Sequence, residues 1–137
     1  MHKLPTDRYL LECIFEMHKA AYPGPFGANG RPSNDPYVAI DIHAIAVKLE
    51  CSPELLFGLL YYHLDHKYRY RQEDGSLVPL FYLQVDGKRH AVNFPCLAAI
   101  LAERNQEFRR YVLSLSISAF ALGISIASLA LNLMNSK

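Results

Sequence analysis

Apolar residues recur at spacings of three and four in three stretches of the first 66 residues, a pattern that predicts three amphipathic helices. The first is capped by Asp7 and ends near Ala21, and the second is capped by Asp41. The third begins with Ser52 as its N-cap, followed by a proline and a glutamate that suit a first helical turn, and continues to about His66. The single short turn between the second and third of these helices indicates that the two pack together.

The period of the apolar pattern changes to two after the third helix, which predicts strands. Tyr68–Arg71 alternates between tyrosine and arginine, and Leu80–Val85 is more continuously apolar. Lys88–Phe94 is expected to run back beside Leu80–Val85 as the next strand. Asp-Gly turns separate them, so we expect two hairpins that share the middle strand. An earlier short strand is expected at Tyr37–Ile40, after a loop over Pro23–Pro36 that holds four prolines and three glycines. The predicted fold class of this part is α+β.

The C-terminal part has no polar face. Val112–Met134 contains 23 consecutive uncharged residues, with large apolar side chains in every direction around a helix. Such a helix is about 34 Å long, enough to cross a hydrocarbon core of about 30 Å. The alternative is a buried helix of a soluble oligomer, but apolar runs of this length are rare in soluble domains. We therefore predict one transmembrane helix over 112–134.

The charges beside this helix predict its orientation. Arg104, Arg109 and Arg110 precede it and only Lys137 follows it, so the positive-inside rule places the N-terminus in the cytoplasm and the C-terminus on the other side. The N-terminal residues lack the apolar stretch of a signal peptide. The expected organisation is a tail-anchored, single-pass protein of the cell membrane, the inner membrane in a bacterium. Its parts are a cytoplasmic domain over 1–95, a helical juxtamembrane stalk over 96–111, and the anchor.

The predicted anchor also carries small and hydroxyl residues at helical spacing. Small residues on one stripe let two helices approach closely, so we expect self-association through Ser116, Ala119, Gly123, Ala127 and Ala130. Hydroxyl residues could line a pore if the anchors assembled, and the candidates for such a lining are Ser114, Ser118, Ser125 and Ser128. This leaves open a second function, that of a small effector that oligomerises and perturbs the bilayer.

Charge in residues 1–95 is nearly balanced, with ten Lys and Arg against eleven Asp and Glu. This excludes the overall basic excess of an obligate nucleic-acid binder, and any phosphate contact has to be local. The basic residues of the predicted hairpins are the candidates for contacts with phosphate or with a protein partner: Lys67, Arg69, Arg71, Lys88, Arg89 and His90. The competing interpretation is that these side chains are simply solvated.

The order helix, short strand, helix, tight turn, helix and hairpin resembles a winged helix-turn-helix. The resemblance covers about residues 7–94 and is carried by the bihelical segment Ile42–Leu56, where Ala46 stands at the close helix crossing. It implies that the third helix is the recognition helix and the hairpin the wing. The positions expected to be exposed on that helix are Glu54, Phe57 and Tyr61. The residues near its start offer no Arg, Lys, Asn or Gln for base edges; they are Ser52, Pro53, Glu54, Phe57 and Gly58. A protein partner is therefore favoured over DNA.

Catalytic chemistry has little support in the sequence. His63 and His66 stand three apart on the third helix, a spacing that two metal ligands can use, but no third ligand is evident. Phosphate-binding, dinucleotide-binding and metalloprotease motifs are not present. We expect no enzyme, cofactor or metal site, and predict a membrane-anchored interaction or regulatory module that binds a macromolecular partner at the cytoplasmic face.

Overall fold

The computed structural model describes residues 4–22, 35–85 and 87–136. Most of the predicted loop Pro23–Pro36 lies outside these ranges. The chain divides into two compact units, Met1–Leu101 and Ala102–Lys137. The first is a mixed α+β domain, called the head below, and the second is helical.

The first two helices begin at short polar caps. Helix α1 (Asp7–His18) continues as a 3₁₀ turn, Lys19–Ala21. Its cap is Thr6, whose hydroxyl accepts from the backbone N–H of Tyr9 at 3.3 Å, so the prediction that Asp7 caps the helix is wrong. Asp7 is instead the first helical residue, where its charge suits the helix dipole. Helix α2 (Ile42–Lys48) is capped by Asp41, as predicted.

The predicted third helix is one unbroken helical segment over residues 53–68, built from three parts. Helix α3 (Pro53–Gly58) is capped by Ser52 as predicted, and passes through a π-helical stretch, Leu59–Leu64, into α4 (Asp65–Tyr68). The joining residues Gly58 and Leu64 keep right-handed helical dihedrals. The segment therefore ends two residues beyond the predicted end.

The strands form two separate sheets. In the larger sheet, β5 (Lys88–Asn93) is central and pairs antiparallel with both β4 (Phe81–Val85) and β1 (Tyr37–Ala39). In the smaller sheet, β2 (Tyr70–Arg71) pairs with β3 (Leu77–Val78). The prediction of two hairpins sharing a middle strand is therefore wrong. The chain after the first turn forms its own short strand, β3, and a buried Leu80 then separates it from β4.

The core of the head extends past the predicted domain end at residue 95. Helix α5 (Phe94–Asn135) begins directly after β5, and its first two turns contribute Phe94, Leu97, Ile100 and Leu101 to the core. Leu97, Ile100 and Leu101, expected in the helical juxtamembrane stalk over 96–111, join the core of the head, and the first unit extends to Leu101. The remaining core residues come from α1, α2, α3, the π-helical stretch and the larger sheet.

The second unit is the remainder of α5. Among the described residues, α5 is the one helix that is long and apolar enough to cross a membrane, with a mean hydropathy of 2.0 over its most apolar 18-residue window. None of that window is buried. The hydroxyls of Ser116, Ser118 and Ser125 donate to carbonyls four residues earlier at 2.8–2.9 Å, so the helix satisfies them internally.

Candidate partner-binding surface

The outer surface of the third helical segment carries an apolar residue near its start and an aromatic residue near its middle. Leu55 is 42% exposed and Tyr62 is 78% exposed, and Glu54 is exposed as predicted. Phe57 and Tyr61 were expected on the same surface, but both are half-buried and pack against the core. The difference arises because their rings contact each other, with centroids 4.6 Å apart, beneath the larger sheet.

Three of the six candidate phosphate-binding residues already have a carboxylate partner in the head. Lys67 pairs with Asp7, Arg69 Nη2 lies 3.1 Å from Asp65, and Lys88 Nζ lies 2.6 Å from Asp35. An ion-paired cation has less to gain from a phosphate, because it must first give up its existing partner. Their positions therefore weaken the case for a phosphate-binding surface.

The other three candidates have different surroundings. Arg71 and Arg89 are exposed, and no described carboxylate lies within ion-pair distance of either one. His90 is half-buried and belongs to an internal hydrogen-bond network. Arg71 lies in the smaller sheet and Arg89 in the larger one, so the structure does not gather the six residues into one site.

His90 is held by Tyr61. The Tyr61 hydroxyl donates to the Tyr82 carbonyl at 3.1 Å and lies 3.0 Å from His90 Nδ1. Since this hydroxyl has one proton, its oxygen accepts from Nδ1–H, and Nε2 is left as a hydrogen-bond acceptor. Burial and the neighbouring charge of Arg89 lower the pKa of His90. Burial and the carboxylate of Asp65 raise the pKa of Tyr61 to about 12, so both groups are neutral at pH 7.

His90 also has an unusual backbone conformation for a residue in the central strand. Its φ is +54°, in the left-handed region that L-residues with a side chain seldom adopt, although histidine does so more than most. Its carbonyl nevertheless accepts from the N–H of Ile40 at 2.7 Å, just beyond β1. The bond from Ile40 to the His90 carbonyl and the bond between His90 Nδ1 and Tyr61 together hold the imidazole in place.

A groove of about 550 Å³ opens beside His90. It lies between the starts of α2 and α3 and the central strand β5, and is called the α2–α3 groove below. Apolar side chains make up most of its surface, while carboxylate and imidazole groups stand among them; the lining residues are Ile40, Asp41, Ile42, His43, Pro53, Glu54, Phe57 and His90. Within the described part of the chain, no lysine or arginine lines it.

Asp65 is the one buried charged side chain among the described residues, at 7% exposure. Its Oδ1 accepts from the backbone N–H groups of Leu80 and Phe81 at 2.7 and 3.0 Å, and Oδ2 accepts from Arg69. The carboxylate therefore ties the end of the third helical segment to the start of β4. The pattern of the sequence assigned no role to Asp65. A charged residue next to the apolar stripe of a helix nevertheless indicates a charge that is buried and hydrogen-bonded.

The two histidines considered as metal ligands do not converge on a metal site. His63 Nε2 lies 3.1 Å from Asp7 Oδ1, and His66 is exposed. Burial alone would raise the pKa of Asp7, but hydrogen bonds from Lys67 and His63 outweigh it and lower the pKa. In the described part of the chain, no group of three or more His, Cys, Asp or Glu side chains is arranged to hold a metal.

Most of the predicted residues of helix α5 are exposed, while Arg104 is half-buried. Arg104 pairs with Glu107 at 3.0 Å, while Arg109 and Arg110 are exposed. All five small residues of the association stripe are exposed, and a Cβ added to Gly123 would meet no atom within 4 Å. The stripe is therefore an exposed face of the second unit.

Comparisons of the chain with protein families, with curated proteins and with solved structures find no match. Any statement about function rests on the residues themselves.

Proposed function

We propose that this protein is a membrane-anchored interaction or regulatory module whose head binds a protein partner through the third helical segment. The observation that carries the proposal is the exposure of Leu55 and Tyr62 there, while nearby Lys67 and Arg69 are neutralised by carboxylates. Exposed aromatic and apolar groups suit a protein interface, in which tyrosine is enriched, better than they suit DNA phosphates.

The head is, in this proposal, a winged helix-turn-helix. Its element order and strand pairing support this: β1 lies between α1 and α2, and pairs with the last strand of the β4–β5 hairpin, which would be the wing. The additional β2–β3 hairpin lies between the recognition helix and the wing. Binding a protein would then use the recognition helix of a fold that is better known for binding DNA.

The anchor in this proposal crosses the membrane with the head on the cytoplasmic side. The length and hydropathy of α5 support the crossing, and the arginines at 104, 109 and 110 support the orientation. Self-association is proposed through the stripe of Ser116, Ala119, Gly123, Ala127 and Ala130. Its exposure along the helix supports that role.

Photo-crosslinking in native membranes tests the protein partner. A photoreactive phenylalanine analogue in place of Tyr62 should give a discrete protein adduct. The same analogue in place of Tyr70, which is also exposed but lies in the smaller sheet, serves as the matched control and should give none. Equal labelling from both positions would contradict the proposal, because it would show no preference for the third helical segment.

DNA binding is tested on the full chain in nanodiscs. At physiological salt we expect negligible binding to duplex DNA, because three of the six candidate cations are already paired. Tight binding that weakens steeply with salt, and less steeply in Arg71→Ala/Arg89→Ala, would overturn the choice of a protein partner.

Liposome dye leakage tests the alternative of a membrane-perturbing effector. We expect no leakage, because Ser118 and Ser125, two of the four candidate lining residues, return their hydroxyls to their own helix. Leakage that depends on protein concentration, and that Ser118→Ala/Ser125→Ala reduces, would favour the effector instead.

A further inference from the structure

We propose that the α2–α3 groove receives an arginine side chain and an adjacent apolar side chain from the protein partner. The proposal deepens the proposed function and rests on it. It assigns a binding site to the groove and states the chemistry of the segment that fills it.

The shape and lining of the groove suit side chains of a peptide segment. Its volume of about 550 Å³ lies within the usual range for binding pockets and exceeds what one side chain fills. Ile40, Ile42 and Phe57 provide apolar contact surface, with Pro53 at the start of α3. A segment that buries an apolar side chain there removes both surfaces from water, which is the main favourable contribution to most protein associations.

Two carboxylates, those of Asp41 and Glu54, stand among the lining residues of the groove. Asp41 uses Oδ1 to cap α2, accepting from Ala44 N–H at 3.0 Å, and that bond lowers the pKa of its carboxyl and keeps it charged. Glu54 is exposed at the start of α3. No lysine or arginine of the described chain lies within ion-pair distance of either carboxylate. The groove thus presents two carboxylates that no described lysine or arginine pairs with.

The imidazole of His90 strengthens the preference for a cation that carries several N–H donors. His90 Nε2 is an acceptor, since Nδ1–H is committed to Tyr61. The lowered pKa of His90 keeps this ring uncharged, so it does not repel a cation. Guanidinium has five N–H donors in a planar fork and no acceptor, which matches two carboxylates and one imidazole nitrogen better than an ammonium does.

The test uses the full chain in phosphatidylcholine nanodiscs with ¹³C-labelled histidine. The probes are acetyl-Leu-Arg-Leu-amide and, as the matched neutral peptide, acetyl-Leu-Gln-Leu-amide. We expect the arginine peptide to shift the His43 and His90 resonances, and to bind about fivefold more tightly than the glutamine peptide. Unshifted histidines, or equal affinity for the two peptides, would overturn the proposal.

Two variants identify the groups responsible. Asp41→Asn/Glu54→Gln removes both charges while asparagine still caps α2, and it should abolish the preference for arginine. Glu73→Gln removes an exposed carboxylate in the β2–β3 turn and should preserve that preference. A preference that survives the double variant would show that the carboxylates are not the recognising groups.

The crosslinking at position 62 separates this inference from the proposed function. In the double variant, the partner adduct should fall about fivefold at limiting partner concentration. An unchanged adduct yield would overturn the groove as the site of the partner and leave the protein partner itself in place. The absence of an adduct in the otherwise unaltered chain would instead contradict the proposed function, whatever the peptides do.

Discussion

Asp65 shows how one side chain can connect two elements of the head. Its carboxylate is buried at the end of the third helical segment, and is compensated by two backbone N–H groups at the start of β4 and by Arg69. Burying a charge without such partners costs several kcal/mol. With them, the carboxylate satisfies two backbone donors at the start of β4.

Substitutions at Asp65 should destabilise the head in a graded way. Asp65→Leu leaves both backbone donors buried and unpaired, so the free energy of unfolding should fall by about 3–5 kcal/mol. Asp65→Asn keeps a carbonyl acceptor but loses the charge, and should cost about 1–2 kcal/mol. Urea unfolding of the full chain in detergent, followed by near-ultraviolet tyrosine circular dichroism, measures both. Glu73→Gln should stay within about 0.5 kcal/mol of the unaltered protein; a similar loss there would show that the effect is not specific to the buried site.

The turn between α2 and α3 shows how a local motif sets the geometry of two elements. Cys51 N–H donates to the Ala46 carbonyl and Glu50 N–H to that of Val47, which is the bonding pattern of a Schellman motif. The position that favours glycine in this motif holds Glu50, with φ +53°. The tight turn brings the starts of α3 and α2 together, and so forms one wall of the α2–α3 groove.

Glu50→Gly should therefore be neutral or stabilising. Glycine relieves the left-handed strain of about 1–2 kcal/mol, but loses about 0.5–1 kcal/mol through the entropy of the unfolded chain. The expected net change is a rise in the free energy of unfolding of up to about 1.5 kcal/mol. Lys48→Gly, two residues earlier and inside α2, should cost about 1 kcal/mol. Destabilisation of similar size by both substitutions would argue against the motif.

Within helix α5, Gly123 allows a test of association that leaves the helix itself undisturbed. Gly123→Leu adds bulk where a single chain has open space, so any loss of signal in a membrane two-hybrid assay should come from a helix–helix contact. We expect that loss from Gly123→Leu, and almost none from Leu122→Ile, which lies off the stripe. Equal signals from the two variants would remove the small-residue interface.

At the scale of the whole molecule, the chain divides into two units that differ in burial. One unit buries a core of about twenty residues in a mixed α+β fold, and the large apolar side chains of the other are exposed over residues 111–134. An exposed apolar helix of this length suits lipid or other chains that cover it. In the proposed arrangement, the charges on either side of residues 112–134 determine which end faces the cytoplasm.

Topology reporters test this arrangement. A reporter fused before Met1 should behave as cytoplasmic, and one fused after Lys137 as non-cytoplasmic. Replacing Arg104, Arg109 and Arg110 while adding three arginines after Ser136 should weaken or invert the orientation, since the asymmetry of positive charge is its cause. Cytoplasmic behaviour at both ends of the unaltered chain would contradict a single crossing.

The sequence predicted those features that depend on neighbouring residues. The caps at Asp41 and Ser52, the three helical segments and the long apolar helix follow from local hydrogen bonding and from the spacing of apolar residues. The cap of α1 was placed one residue late, because both Thr6 and Asp7 are good caps and the sequence alone does not choose between them.

Only the tertiary structure decided which distant residues meet. Strand pairing across the central β5, the entry of Leu97 and Leu101 into the core and the burial of Asp65 all depend on contacts that no local pattern encodes. The same holds for the candidate site. Pairing with Asp7, Asp65 and Asp35 neutralised three of the predicted cations, and folding joined Asp41, Glu54 and His90 around one groove. The physical reason is that charge and burial at a site are set by the neighbours that folding brings together, which are far apart along the chain.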